Sequence, residues 1–579
     1  MNIYQLFVRT FGNKNAETIF NGEKKQNGCG TFSDINDKAL DALKVLGITH
    51  IWLTGVIRHS SLTAYPELGI KATNPSITKG KAGSPYSIMD YYDIDPDLAV
   101  NPNNRMEEFE ELVARIHEKG MKVIIDFVPN HLAREYKSLY KPFDVEEFGE
   151  YDDKNVTFSK DNNFYYCPGQ EFVAPINNAV KNDSSEYVYK EFPAKASGND
   201  VFSSCPTIND WYDTIKLNYG VDYQNGCKSF DPIPNTWYKM LNIMMYWCEK
   251  GIDGFRVDMA EMVPVEFWRW SLYMLRESYD VCAIAEIYQP DMYIDYIDAG
   301  FDYLYDKVTL YDTLRAIQCS NVSAACITNC WQTVDGINAN MLNFLENHDE
   351  QRFGSKQYAG DPGLVIPSLV VSSMINTGPM MIYAGQELGE QASDAEGYSG
   401  HDGRTTIFDY WSIPTIRRWF NDGKCDETLL SGREIWLRNK YKDILNICNK
   451  EKAIREGLFF DLMYVNYDNP CFNPHRQYAF IRSSTTETLL IVVNFSAETC
   501  DLKINLPKHA FEFLNIPEGI CNNAIELLSG DNATKALKSD SPFECLVGGN
   551  NAVIWKISHK NIISSKKISP KQSTKKIKK

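Results

Sequence analysis

Short apolar runs alternate with stretches whose apolar positions fall three and four residues apart along the first 450 residues. The runs predict strands at 3–8, 49–54, 122–128, 252–257, 281–286, 301–305, 341–346 and 380–385. The periodic stretches predict helices over 34–47, 105–120, 236–251, 264–277, 307–317, 362–375 and 433–446, with a short turn near 290–299. Gly47, Gly120 and Gly251 stand where three of these helices should stop. Asp34 is the expected N-cap of the first.

Eight strand–helix units whose strands are apolar on both faces predict an α/β fold, a parallel (β/α)8 TIM barrel. No glycine-rich phosphate loop follows the first strand, which argues against a dinucleotide-binding sheet. Two segments break the rhythm. Residues 131–235, rich in Asn, Asp, aromatic residues, Pro and Gly, are too long for a structureless loop and predict a small inserted domain after the third strand. Beyond 450 the pattern turns to alternation, at 476–484, 488–496, 500–507 and 551–558, which predicts an antiparallel β domain. The expected division is therefore 1–130 with 236–449 for the barrel, 131–235 for the insert, 450–559 for the β domain and 560–579 for a tail.

Composition narrows the function classes. The net charge of −17 argues against nucleic acid as the main partner. The last twenty residues reverse that sign locally, with eight Lys and no acid, and read as a solvated, disordered tail. No apolar stretch reaches membrane-spanning length, and no basic segment followed by an apolar one opens the chain. The fifteen cysteines are odd in number and scattered; Cys326 and Cys330 form a lone pair, weak as a zinc motif. A reduced, cytoplasmic setting is expected.

In such a barrel the chemistry lies at the C-terminal strand ends. The third strand ends with Asp126, Asn130 and His131, the fourth with Arg256 and Asp258, the fifth with Glu286, and the seventh with His348 and Asp349. Each carboxylate alone reads as a helix cap or a surface acid. Three of them on one rim, with an arginine and two histidines, point to glycoside transfer with retention, which needs one ionised carboxylate and one protonated carboxyl about 5 Å apart. Arg256, two residues before Asp258 and on the same side of the strand, is expected to keep that aspartate anionic. Glu286, among other negative charges, is expected to hold a proton.

The segments carrying these residues, "DFVPNH" (126–131), "GFRVD" (254–258), "AIAEIY" (283–288) and "FLENHD" (344–349), resemble the four motifs of the α-amylase superfamily, in order. "TFSDINDKALDALKVLGITHIWLT" (31–54), "SPYSIMDYYDIDP" (84–96) and "GPMMIYAGQELG" (378–389) extend the resemblance over about 1–450. It implies a retaining glycosidase on α-glucans such as starch, glycogen or malto-oligosaccharides. Asp258 would be the nucleophile, Glu286 the general acid/base and Asp349 the transition-state stabiliser. Arg256, His131, His348 and Asp126 would support the sugar, with Tyr86 as its aromatic platform. The chemistry needs no cofactor; a structural calcium near Asn130 is the one metal the resemblance implies.

Two departures bear on specificity. Many α-amylases carry a Lys-His pair after the nucleophile, where this chain has Glu261 and Met262. Exo-acting α-glucosidases often carry an Asp before the platform tyrosine, where this chain has Gly83. The second departure favours an open cleft and internal α-1,4 cleavage. The alternatives are an α-glucosidase or transglucosidase on short oligosaccharides and, in another class, a non-catalytic glucan-binding protein.

Overall fold

The computed structural model describes residues 1–175, 189–393, 400–539 and 541–563. The eight expected strands all form: β1 (Asn2–Phe7), β2 (His50–Thr54), β3 (Lys122–Phe127), β4 (Gly254–Val257), β5 (Cys282–Ala285), β6 (Tyr303–Tyr305), β7 (Met341–Phe344) and β8 (Met380–Tyr383). They close in sequence order into a parallel barrel, β1 pairing with both β2 and β8. Nearly every strand residue is buried, as a sheet covered on both faces requires.

Helices follow where the periodicity places them: α1 (Asp37–Leu46), α2 (Arg105–Glu118), α3 (Asn235–Glu249), α4 (Val265–Arg276), the short α5 (Tyr293–Asp298), α6 (Asp312–Ser320), α7 (Ile366–Met374) and α8 (Gly432–Lys450). Gly47 ends α1 at φ 104°, a conformation that favours glycine. The N-cap of α1 is Asn36, not Asp34: the Asn36 side chain accepts from Ala39 N at 3.0 Å. Asp34 lies one turn earlier, where its carboxylate accepts from Thr31 N and Thr31 Oγ1.

The described chain divides into two compact units. The first holds Met1–Val308, Asn340–Gly363 and Gly378–Lys442, and so the whole barrel. Residues 131–235, expected as an insert, also lie in it, and their described residues form short antiparallel pairings, such as His131–Ala133 with Thr214–Lys216. The second unit holds Thr309–Ala339, Leu364–Thr377 and the chain from Asp443. Its main sheet is antiparallel, β9 (Leu458–Asp461), β10 (Gln477–Ser483), β11 (Glu487–Asn494), β16 (Asn551–Ser558), β13 (Gly519–Glu526) and β14 (Asn532–Leu537) in spatial order, while β12 (Cys500–Ile504) pairs with β15 (Phe543–Val547). Most of the Lys-rich tail, 564–579, lies outside the described residues. Among the described residues no helix is long and apolar enough to cross a membrane, and all fifteen cysteines are free thiols.

Candidate active site

Register assembles the site. Arg256 of β4 is the ladder partner of Asp126 of β3, so their side chains project together at one height of the barrel. Backbone pairing runs one residue past each strand: Asp258 N donates to Phe127 O at 2.9 Å and Glu286 N to Val257 O at 3.1 Å. The two acids expected to do chemistry therefore close neighbouring strands on the same rim. Met259, next after Asp258, sits at φ 43° and ψ 48°, a left-handed conformation rare for a side chain of its size. That turn aims its N–H at Glu286 Oε2, 2.9 Å away.

Arg256 is the hub. Its Nη1 donates to Asp258 Oδ1 at 2.9 Å and to Asp126 Oδ1 at 3.4 Å, and its Nε to Tyr305 Oη at 3.2 Å. Its Nη2 lies 2.6 Å from Glu286 Oε2, outside hydrogen-bonding direction, so that contact is chiefly charge on charge. The rings of Trp52, Tyr86 and Tyr305 surround the guanidinium at 5.3–5.6 Å. Burial opposes its charge, but Glu286, Tyr305, Tyr86 and Asp258 outweigh it and raise the Arg256 pKa further. The arginine is thus shared, where the sequence pattern assigned it to Asp258 alone.

Sharing changes the charge balance. Three buried carboxylates face one cation, which cannot neutralise them all. Burial pushes the Asp258 carboxyl well above the usual range; Arg256 pulls it back, and Glu286, Asp126 and Asp349 push it further up. Asp126 is raised to about 6 by burial, against Arg256, Trp52 Nε1 at 3.1 Å and Gly55 N at 3.3 Å. Arg256 therefore pulls the Asp258 carboxyl toward the anion but shares that pull with Asp126 and Glu286. Beside the Arg256 charge, Glu286 accepts two hydrogen bonds, from Met259 N on Oε2 and from Tyr288 Oη on Oε1 at 2.5 Å.

Asp349 faces the cluster from the end of β7 with 44% of its side chain exposed, the most open of the three acids. His348 Nε2 lies 3.0 Å from Asp349 Oδ2 and 2.6 Å from Tyr86 Oη. Gln5 Nε2 donates to the other ring nitrogen at 2.8 Å, which leaves the proton on Nε2, facing Asp349. Burial, helped by Arg256, lowers His348 to about 3, so the ring is neutral. Tyr86 stacks on it at 5.2 Å and 24°, with its hydroxyl also 3.4 Å from Asp126 Oδ1.

Asp126, Arg256, Asp258, Glu286, His348, Asp349 and Tyr86 thus form one network. Asn130 and His131 belong to a second cluster: the His131 ring packs on Trp211 at 5.1 Å, and burial with Lys216 and Lys79 lowers it to about 3.

Comparison with known proteins decides the family. The alpha-amylase catalytic-domain model matches residues 5–409. The chain belongs to the alpha-amylase family. As a member it is a glycoside hydrolase. An alpha-amylase 2 of Dictyoglomus thermophilum is 23% identical over 502 residues, 85% of this chain and 68% of that protein. An alpha-amylase 3 of the same organism is 25% identical over 479 residues, 78% of each chain. The crystal structure of a Geobacillus thermoleovorans alpha-amylase complexed with acarbose shares the fold, with a TM-score of 0.61, 19% identity and coverage of 96% of this chain and 97% of that one.

Against the family pattern, the departures in this alpha-amylase relative have structural causes. A Cβ on Gly83, at φ 74°, would lie 1.6 Å from Ser60 O, so no carboxylate can stand there with this backbone. Glu261 accepts from Tyr288 N at 2.9 Å, which ties the turn after Asp258 to the one after Glu286. The residues around Asn130 do not fit a calcium ion. Asn130 Oδ1, the oxygen a metal would need, accepts from the Lys216 ammonium, and Nδ2 donates to Gly198 O at 2.8 Å. Among the described residues no three His, Cys, Asp or Glu side chains converge as a metal site.

Sequence reasoning missed Gln5, Tyr288, Tyr305 and Lys216. Gln5 carried a signal: it is a polar side chain in the middle of the fully buried β1. Tyr305 closes β6 as Glu286 closes β5, and strand ends were the place to look.

Proposed function

We propose that this protein is an endo-acting, retaining hydrolase of α-1,4-glucans. The observation that carries the reading is a single guanidinium, Arg256, held against Asp258 and Glu286 at the tips of adjacent strands. Asp258 attacks the anomeric carbon and becomes the glycosyl ester while Glu286 protonates the departing oxygen; Glu286 then takes a proton from the water that releases the sugar. One proton must therefore stand on Glu286 when the bond breaks. The crowding of three carboxylates around one cation supports a proton being retained in the cluster. Arg256 stays charged throughout and keeps both acids in place. In this reading His348 Nε2–H, Asp349 and Asp126 hold sugar hydroxyls around the flattening ring, with Tyr86 as its floor.

Support for the substrate class comes from the two Dictyoglomus alpha-amylases and from the acarbose complex of the structural neighbour. Support for internal cleavage comes from Gly83, where the backbone excludes a carboxylate that would cap the chain end.

The test is a timed digest of soluble starch, pullulan and maltoheptaose. The expected products are mixed malto-oligosaccharides, released first as the α-anomer. Glucose as the sole early product would favour an α-glucosidase, and early β-anomer would end the retaining mechanism. Asp258→Asn should lose about 10⁴-fold or more of kcat.

A further inference from the structure

Lys216 is a lysine in an unusual place. Only 2% of its side chain is exposed. It lies on the short strand Thr214–Lys216, whose pairing sets Lys216 directly opposite His131, the residue after Asn130. Lys216 N donates to Ala196 O and Leu217 N to Asn130 O, both at 3.0 Å, so the backbone on both sides is fixed.

The ammonium has three protons to give and meets three oxygens. It donates to Asn130 Oδ1 at the end of β3. It lies 2.7 Å from Asp200 Oδ1 in the segment after β3. It donates to Met262 O, 3.1 Å away, in the turn that follows Asp258. The Tyr223 ring closes over it at 5.4 Å. Asp200 reaches it from a left-handed backbone, φ 61°, that aspartate tolerates better than most residues.

Oxygens from three separate segments converging on one positive centre is what a divalent cation normally gathers. Here the centre is covalently part of the chain. An ammonium supplies only donors, so it competes with a metal for the same oxygens and repels it. A calcium ion needs six to eight oxygens at about 2.3–2.6 Å, and Lys216 offers none.

We propose that the Lys216 ammonium replaces a divalent cation as the tie between residues 131–235, the end of β3 and the turn after the nucleophile, and that this protein stays folded without bound calcium. A fixed internal cation carries one charge where calcium carries two. It matches one carboxylate, Asp200, with neutral oxygens completing the shell. The tie cannot be stripped by a chelator.

The experiment is thermal unfolding of the full-length protein in excess EDTA and in millimolar CaCl2, with metal content measured by atomic mass spectrometry. It reads unfolding alone, so it is independent of whether the glucan assignment is right. The expected result is the same Tm in both buffers and no stoichiometric calcium after gel filtration. Lys216→Met, which keeps the stem and removes the charge, should lower Tm by several degrees. A Tm that falls in EDTA and recovers with calcium would overturn the proposal. So would a Lys216→Met protein that melts with the wild type. If Lys216→Met fails to fold, the chelator comparison on the wild type decides alone.

Discussion

Replacing Asp126 by Asn should move the acid limb of the pH–activity profile to lower pH. Asp258 must be anionic to attack, and burial together with Glu286 and Asp126 raises its pKa against the pull of Arg256. Asp126 and Asp258 meet the same Arg256 nitrogen, at 3.4 and 2.9 Å. Their oxygens are then ~6 Å apart at most, where two unit charges repel by about 3 kcal/mol at an effective dielectric constant near 20. That is about 2 pH units. The neutral amide removes this repulsion and leaves Arg256 freer to hold Asp258, so both changes lower the pKa of the nucleophile. The assay is kcat/KM against pH on a nitrophenyl maltotrioside, whose good leaving group makes little demand on the general acid. The expected shift is about one to two units downward. The plateau should also fall, because the amide nitrogen faces the donors Arg256 and Tyr86; limb position and plateau height are read separately. An unmoved limb, or one displaced upward, would refute the argument that the carboxylates share one inadequate counter-ion.

Other consequences are equally direct. Gln5→Met removes the donor that sets the His348 ring, and should lower kcat/KM by about 10- to 100-fold with little change in Tm. His59, His131 and His348 are each lowered to about 3 by burial, so these three rings hold fewer protons in the folded than in the unfolded chain between pH 6.5 and 3, against the buried carboxyls such as Asp126 that hold more. The share of stability these rings carry is full above pH 6.5 and is lost as pH falls toward 3, so His59→Gln should make the fall of Tm between pH 6.5 and 4 shallower than in the wild type; identical slopes would contradict this. In the second unit, Asp461 accepts from Thr328 Oγ1, Trp331 Nε1, Tyr478 Oη and Met463 N at 2.6–2.8 Å. Asp461→Ala strands these donors and should cost about 3 kcal/mol or more in chemical denaturation.

The barrel was legible because parallel strands covered on both faces read as unbroken apolar runs. Each of the eight strands lies within a residue or two of its expected span. The carboxylates were legible because polar residues ending such runs have few other reasons to be there. What escaped was anything set by contacts between distant segments. Asp34 and Asn36 are both good caps, and only the backbone turn selects Asn36. Arg256 looked private to Asp258 because the sequence records their spacing and not the ladder that brings Asp126 alongside. Lys216, between Ile215 and Leu217 in the expected insert, drew no attention in the sequence, because its partners come from 16 to 86 residues away.

The close approach of Gly83 to Ser60 O has a bearing on redesign. Two catalysts can share every reacting group and still differ in where they cut, if one has a wall at the end of its trough. Building that wall here by exchanging one residue for an acid would force the loop apart before the new side chain met any sugar. Converting this scaffold to trimming from chain ends therefore calls for a transplanted loop with a different path, and a point-mutant library at this position should yield misfolded protein and no altered cutting pattern.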